Sequence, residues 1–184
     1  METIRLNDFK KIDNFQVYLY QTNRLCSNRY LLIDKDAGIL LIDSGDGEDI
    51  LDFKPTICLL THGHFDHCLG VQKDWNAYIS PKEDPNLPYM KIPPNAKKFE
   101  KNLINFGKYL IEIIPTPGHT PGSVCFFERN NKILFSGDTL FADGAYGRTD
   151  LGGSEKKIRN SLKKLQSLNY VLLCPGHGDI EQKK

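Results

Sequence analysis

The placement of five histidines constrains this 184-residue chain more than any other sequence feature. Three of them, His62, His64 and His67, fall within one six-residue segment. The other two, His119 and His177, each follow a glycine in a loop that also contains proline. No histidine remains for an incidental surface or core role. The fold must therefore bring three distant segments together, and the residue types indicate a metal centre.

The segment from Thr61 to His67 can serve two adjacent metals. His62 and His64 are two residues apart, so in extended backbone both imidazoles project to one side. Gly63 between them lets the chain approach a metal closely. Asp66 and His67 follow where a helix is expected to begin, so their side chains point in other directions. Imidazole and carboxylate ligands together suit zinc, iron or manganese.

Asp138 directly follows a predicted strand in the segment Phe135–Phe141. A carboxylate can bridge two cations and hold them about 3.5–4 Å apart. An aspartate at a strand end is commonly a turn former. The accompanying histidines favour a metal ligand here instead.

Length and composition indicate one globular domain over residues 1–184. The apolar runs are too short to span a bilayer, and the N-terminus lacks an apolar signal core, so a cytoplasmic protein without membrane partners is expected. The net charge of +1 gives no field for nucleic acid, and Lys97, Lys98 and Lys101 are interpreted as a solvated face. Five cysteines without a CxxC pair indicate reduced, mostly buried thiols. The oligomeric state is left open.

Hydrophobic patterning predicts a chain with more strands than helices. A hairpin is expected from Tyr30–Asp34 and Gly38–Ile42, and a helix from Ser154 to Leu168, where Ile158, Leu162 and Leu165 repeat at helical spacing. Sheets packed face to face with helices outside are expected. Further predicted strands are Phe15–Tyr20, Thr56–Leu60, Tyr109–Ile114, Val124–Glu128, Ile133–Ser136 and Tyr170–Cys174, and helical turns are predicted from Phe65 to Lys73.

Four motifs in this order resemble the metallo-β-lactamase superfamily. They are HxHxDH at 62–67, PGHTPGS at 117–123, SGDTLF at 136–141 and PGHG at 175–178. The resemblance implies an α+β fold, an αββα sandwich of two mixed sheets with helices on the outer faces. It also implies a hydrolase with two divalent metal ions, zinc in the first place, with iron or manganese compatible.

The resemblance also assigns roles to individual residues. His62, His64 and His119 would bind the first metal, Asp66, His67 and His177 the second, and Asp138 would bridge them. Asp66 and Asp138 would be the catalytic carboxylates, with Asp66 also holding the attacking hydroxide. Asp43, at the end of an early strand, would orient a ligand, the alternative being a plain turn residue.

Within the superfamily the segment Gly137–Arg148 is similar to that of glyoxalase II and its small stand-alone relatives. This likeness implies hydrolysis of a small-molecule thioester by metal-bound hydroxide, with Tyr146 and Arg148 binding substrate. Arg148 could equally pair with Asp150 and only brace the loop. The chain extends seven residues beyond His177, so much of the glutathione site of classical glyoxalase II is expected to have no counterpart.

Three alternatives stay open. A mononuclear iron persulfide dioxygenase would use positions matching His62, His119 and Asp138. A lactone or β-lactam hydrolase would use the same metals with a different pocket, although Asp138 stands where some zinc β-lactamases have cysteine. A non-catalytic metal protein is the third, and the seven filled ligand positions argue against it.

Overall fold

The computed structural model describes residues 2–183. In this range it contains fifteen β-strands, two α-helices and one 3-10 turn, Leu6–Asp8. The helices are α1 (Phe65–Cys68) and α2 (Glu155–Gln166). The strands are β1 (Glu2–Ile4), β2 (Lys10–Lys11), β3 (Val17–Gln21), β4 (Asn28–Asp34), β5 (Gly38–Ile42), β6 (Asp49–Leu51), β7 (Ile57–Leu59), β8 (Ala77–Ile79), β9 (Lys97–Lys98), β10 (Leu103–Phe106), β11 (Tyr109–Pro115), β12 (Val124–Glu128), β13 (Ile133–Gly137), β14 (Leu172–Pro175) and β15 (Glu181–Gln182).

Strands β4 and β5 form the predicted antiparallel hairpin at the centre of the first sheet. Leu31 pairs with Leu41 and Leu32 with Leu40, and all four side chains are fully buried. Continuous apolar runs of this kind are typical of strands covered on both faces, because successive side chains point to opposite sides. The first sheet therefore needs a layer on each face.

Two large mixed sheets pack face to face. The first has the order β2-β3-β4-β5-β7-β8-β9, and the second β10-β11-β12-β13-β14-β15. A shared core lies between them, built from residues such as Leu32 and Leu40 of the first sheet and Phe126 and Phe135 of the second. The predicted sandwich of two mixed sheets is confirmed.

The two outer faces are covered differently. Helix α2 covers the second sheet, where Leu165 packs with Leu134 and Leu173. It begins after the N-cap Ser154, whose side chain accepts a hydrogen bond from the backbone of Lys157. The first sheet is covered by the β1–β6 pair, by loops and by α1, whose Cys68 belongs to a buried apolar cluster with Trp75.

Helix α1 is shorter than the predicted Phe65–Lys73 segment and has a single turn. It ends with Leu69 as its C-cap, and Gly70 then packs against Ser44, where a Cβ would lie 2.2 Å from the Ser44 carbonyl oxygen. That contact brings the end of α1 against the loop after β5. Neither described helix has the length and apolar character that a membrane span requires.

Candidate metal centre

The ligand-bearing loops meet at one edge of the sandwich because the strands that precede them run in the same direction. Strands β5 and β7 are parallel, and so are β13 and β14. β11 runs in the direction of β13, since each is antiparallel to β12. The segments after β7, β11, β13 and β14 carry the histidines and Asp138. Polar loops at strand ends are where α/β folds commonly place their sites.

The first ligand group consists of His62, His64 and His119, whose candidate ligand atoms lie within 4.8 Å of one another. His119 Nε2 is 2.9 Å from His64 Nδ1. His62 directs Nδ1 towards the Thr61 hydroxyl at 3.1 Å, and its Nε2 is buried without a hydrogen-bond partner. A buried nitrogen without a partner is costly, and a cation bound by the group would satisfy it.

The second group consists of Asp66, His67 and His177, again with ligand atoms within 4.8 Å of one another. His67 Nε2 lies 3.2 Å from His177 Nε2. Asp66 Oδ2 lies 3.2 Å from the same His177 nitrogen and 3.7 Å from that of His67. The helical turn of α1 turns Asp66 and His67 towards this group, as their place after His64 predicted.

Asp138 lies between the two groups. Its Oδ2 is 3.5 Å from His119 Nε2 and 3.6 Å from His177 Nε2, while Oδ1 is 3.4 Å from His67 Nε2. Asp138 Oδ1 is buried and has no hydrogen-bond partner. Gly176 makes room for it, because a Cβ there would lie 2.2 Å from this oxygen. The position is that of a carboxylate able to contact both cations.

Three of the histidines are held by hydrogen bonds from the ring nitrogen that faces away from the centre. His67 Nδ1 donates to Asp43 Oδ2 at 2.8 Å, His119 Nδ1 to the Arg148 carbonyl at 2.7 Å, and His177 Nδ1 to the Cys26 carbonyl at 3.2 Å. These acceptors assign the proton to Nδ1 and leave a lone pair on each Nε2.

When both rings are neutral, the lone pairs of His67 and His177 face each other at 3.2 Å and repel. A cation between them removes the repulsion. The donor set therefore fits a pair of divalent ions on the evidence of its own geometry.

The protonation behaviour of the site follows from burial and charge. Burial and the neighbouring His119 lower the pKa of His64 to about 4, and burial with His67 lowers that of His62 well below its ordinary value. Burial also opposes a charge on His67, but Asp138 and Asp43 outweigh it and raise its pKa to about 10. Burial alone would raise the pKa of Asp66, but the hydrogen bond from His177 and the charge of His67 outweigh burial. The pKa of Asp66 therefore lies well below its ordinary value. The carboxylates thus concentrate negative charge where a cation would sit.

Two buried carboxylates outside the ligand groups brace the site. Asp43 accepts hydrogen bonds from the backbone and hydroxyl of Thr61, both at 2.8 Å, besides that of His67. Glu83 accepts from the Gly63 backbone at 3.1 Å and from the Thr120 hydroxyl at 2.7 Å. The sequence pattern indicated Asp43 but missed Glu83, which lies in an irregular segment without a motif.

An open cleft of about 340 Å³ lies over the ligand groups. Its wall outside the metal ligands is largely apolar and comprises Leu25, Phe65, Tyr89, Phe141, Tyr146 and Leu151, with Gly147 and Arg148. The predicted substrate residues Tyr146 and Arg148 both line it. Substrates are therefore expected to present apolar groups to this wall.

Both predicted substrate residues already have partners in this structure. The Arg148 guanidinium makes two hydrogen bonds to Asp150, at 2.6 and 2.7 Å, and its side chain is 62% exposed. The Tyr146 hydroxyl donates to Glu155 of α2 at 2.7 Å, so only its ring faces the cleft. The bracing alternative for Arg148 is the one that these contacts favour.

The two buried thiols nearest the ligand loops, Cys68 and Cys174, are poorly placed to act as nucleophiles. Cys68 donates to the carbonyl oxygens of Gly63, His64 and Lys91, and burial raises its pKa. Burial also raises the pKa of the Cys174 thiol well above its ordinary value. The expectation of mostly buried thiols is confirmed, since four of the five cysteines are buried and Cys26 is exposed. A thiolate nucleophile has no support here.

Comparisons with known proteins agree with this site. A family model described as the metallo-beta-lactamase superfamily matches residues 24–177. The probable metallo-hydrolase YqgX of Bacillus subtilis is 31% identical, with 83% of this chain and 85% of that protein covered. Hydroxyacylglutathione hydrolase GloC of Haemophilus influenzae is 30% identical, with 91% and 90% covered.

Solved structures show the same likeness. The crystal structure of TTHA1623 in a di-iron-bound form is 30% identical, covers 89% of this chain and 93% of that chain, and has a TM-score of 0.72. The BLEG-1 B3 metallo-beta-lactamase is 26% identical, covers 90% and 93%, and has a TM-score of 0.74.

Proposed function

The chain belongs to the metallo-beta-lactamase superfamily, and from that premise we propose that it hydrolyses thioesters at a two-metal centre. Superfamily membership and the ligand cluster support a metal-dependent hydrolase. The main support for two metals is the position of Asp138, which lies between the two ligand groups. The similarity to GloC, whose name specifies a glutathione thioester, supports the substrate class.

In this proposal His62, His64 and His119 hold one ion, and Asp66, His67 and His177 hold the other. Zinc is the proposed metal, and the same imidazole and carboxylate donors also accept iron or manganese. Such ions, when bound, would lower the pKa of a metal-bound water towards neutrality and polarise a carbonyl oxygen.

The side chains of the chain itself orient this chemistry. Asp43 and two backbone carbonyls keep protons off the Nε2 atoms of His67, His119 and His177, so these atoms stay available as ligands. Asp66 lies at the floor of the open cleft, where its carboxylate can accept a hydrogen bond from the attacking water. The water oxygen adds to the acyl carbon, the carbon–sulfur bond breaks, and the thiol leaves with a proton.

The apolar wall of the cleft, including Tyr89 and Phe141, would hold the acyl or thiol part of the substrate. Arg148 would contribute to substrate binding only when released from Asp150. The two ligand groups would thus serve the reaction itself, while the apolar wall of the cleft would select the substrate.

The test combines metal content per chain, measured by mass spectrometry on protein purified without added metal, with a thioester hydrolysis assay. We expect about two ions per chain and thioester turnover. His67→Ala and His177→Ala should each lose one ion and at least about a hundredfold in turnover, because removing one ligand leaves the second ion without a complete set.

One iron per chain, no thioester turnover and oxygen uptake with a persulfide would instead establish the dioxygenase. That enzyme would tolerate both His67→Ala and His177→Ala, since its single iron uses the other positions. Metal binding without turnover of any thioester, lactone or β-lactam would establish a non-catalytic metal protein.

A further inference from the structure

Glu83 joins the two loops that carry the first ligand group. One oxygen, Oε1, accepts both the Gly63 N–H at 3.1 Å and the Thr120 hydroxyl at 2.7 Å. Gly63 lies between His62 and His64, and Thr120 directly follows His119. A single carboxylate oxygen therefore connects the backbone between two ligands to the residue beside the third.

The segment that carries Glu83 also holds the other side of the Gly63 peptide. The Gly63 carbonyl accepts the Lys91 N–H at 2.9 Å, so both polar groups of this glycine are bonded to residues between 83 and 91. A Cβ at Gly63 would lie 2.6 Å from Cε of Met90. The loop that carries His62 and His64 therefore packs closely against this segment, and a larger residue at position 63 would have to displace the end of the Met90 side chain.

Within residues 2–183, no carboxylate accepts a hydrogen bond directly from a ring of His62 or His64, and Asp43 reaches His62 only through the Thr61 hydroxyl. In the second group His67 bonds directly to Asp43. His62 has only the Thr61 hydroxyl at its outer nitrogen, and His64 Nε2 is buried without a partner. The positions of these two rings therefore depend on the backbone between them, which Glu83 holds.

The energetics of Glu83 also indicate a role beyond folding. The residue is 7% exposed, and its second oxygen, Oε2, is buried without a hydrogen-bond partner. Leaving such an oxygen unpaired is costly, so a neutral side chain would suit the fold better. Hydrogen bonds to a charged carboxylate oxygen are stronger than those to a neutral oxygen, so a carboxylate at this position holds both loops more firmly.

We propose that Glu83 is a positioning residue for the first metal, setting the His62–His64 loop and the His119 loop at the separation that the ion requires. The inference rests on the proposed two-metal centre. Glu83 touches neither a metal ligand atom nor the cleft wall, so it acts through Gly63 and Thr120. Partners of this kind typically change metal affinity 10–100-fold when removed.

The experiment measures zinc affinity of the metal-free protein by competition with a chromophoric chelator, in the absence of substrate. Glu83→Ala should weaken one of two zinc ions by about 10–100-fold and leave the other within about twofold of the unaltered protein. Glu83→Gln keeps one oxygen in place, so it should fold normally and give a smaller loss at the same ion.

Glu128→Gln is the matched control. Glu128 is fully buried and binds the backbone of Asn130 and Asn131 at 3.1 and 2.7 Å, at the end of β12 remote from the ligand loops. The Glu128→Gln substitution should lower the melting temperature without changing the affinity for either zinc ion. Glu83→Gln must therefore differ from Glu128→Gln in zinc binding and not only in stability.

The outcomes separate this inference from the proposed function. If the unaltered protein binds fewer than two zinc ions, the two-metal proposal fails. If it binds two and both Glu83 variants bind them equally well, the two-metal proposal stands and the role of Glu83 is refuted. Equal weakening of both ions in Glu83→Gln, or the same weakening in Glu128→Gln, would also refute it, because a general loss of structure would then explain the effect.

Discussion

Asp43→Asn should weaken binding of the second metal without unfolding the protein. Asp43 Oδ1 accepts the Thr61 N–H, while Oδ2 accepts the Thr61 hydroxyl and His67 Nδ1–H, all at 2.8 Å. Asparagine has the same shape but only one acceptor oxygen. The three donors can no longer all be satisfied in their present orientations.

The arrangement of donors decides how the asparagine settles. The Thr61 N–H cannot rotate, so it should retain the amide oxygen, and the amide nitrogen then faces the Thr61 hydroxyl and His67 Nδ1. The hydroxyl can turn and accept, but Nδ1 can accept only if its proton moves to Nε2. That proton occupies the nitrogen that faces Asp66 and His177. The substitution thus blocks a ligand atom by changing a tautomer.

Two estimates of the magnitude agree. Losing one charge-assisted hydrogen bond costs about 1.5–3 kcal/mol. A typical 10–100-fold loss of metal affinity for such a partner corresponds to about 1.4–2.8 kcal/mol, at about 1.4 kcal/mol per factor of ten. We therefore expect the second ion to bind about 10–100-fold more weakly and thioester turnover to fall with it.

The assay is chelator competition for zinc, with the melting temperature measured in parallel. Asp34→Asn is the control, because Asp34 is also buried and accepts the N–H groups of Asp36, Ala37 and Lys108 in a turn away from the ligand loops. If the Asp43→Asn variant binds two zinc ions with affinities within about twofold of those of the unaltered protein, the proposed change of tautomer is refuted.

Three further predictions follow from contacts in and around the site. Gly176→Ala should lower metal content and turnover at least tenfold, because its Cβ would lie 2.2 Å from Asp138 Oδ1; normal metal content by mass spectrometry would contradict this. A thiol reagent at neutral pH should modify one thiol per native chain, Cys26, and all five after denaturation, since the other four are buried; a second fast-reacting thiol would show that the buried sites open. Asp150→Asn should free Arg148 from its ion pair. The ratio of kcat/KM for S-lactoylglutathione to kcat/KM for its dimethyl ester should then rise by roughly two- to fivefold, because an exposed ion pair contributes about 0–1 kcal/mol. An unchanged ratio would mean that Arg148 does not contact the carboxylates of this test substrate.

The longer elements were predictable because their signals are local. The β4–β5 hairpin has two apolar runs around a short turn, and α2 has an N-cap serine and buried residues at helical spacing. Strands such as β9 and β15 have two residues each and carry no periodic pattern. They exist only because a neighbouring strand offers hydrogen bonds, as β8 does for β9.

The sequence by itself determined the chemistry of the centre. Four motifs place the histidines and aspartates at strand ends, and imidazole and carboxylate are metal donors wherever the fold brings them together. This information lies within short segments, so it can be recognised before any contact is known. The superfamily assignment rests on the same segments and is confirmed by the family match over residues 24–177.

Only the tertiary structure decided what holds those donors in place. The acceptors for His119 and His177 are the backbone carbonyls of Arg148 and Cys26, and every residue has a carbonyl, so the side chains do not reveal them. Glu83 lies 20 residues from Gly63 and 37 from Thr120, in a segment without periodicity. Its role arises from long-range packing, because a hydrogen bond depends on where two atoms meet in space and not on the residue types that carry them.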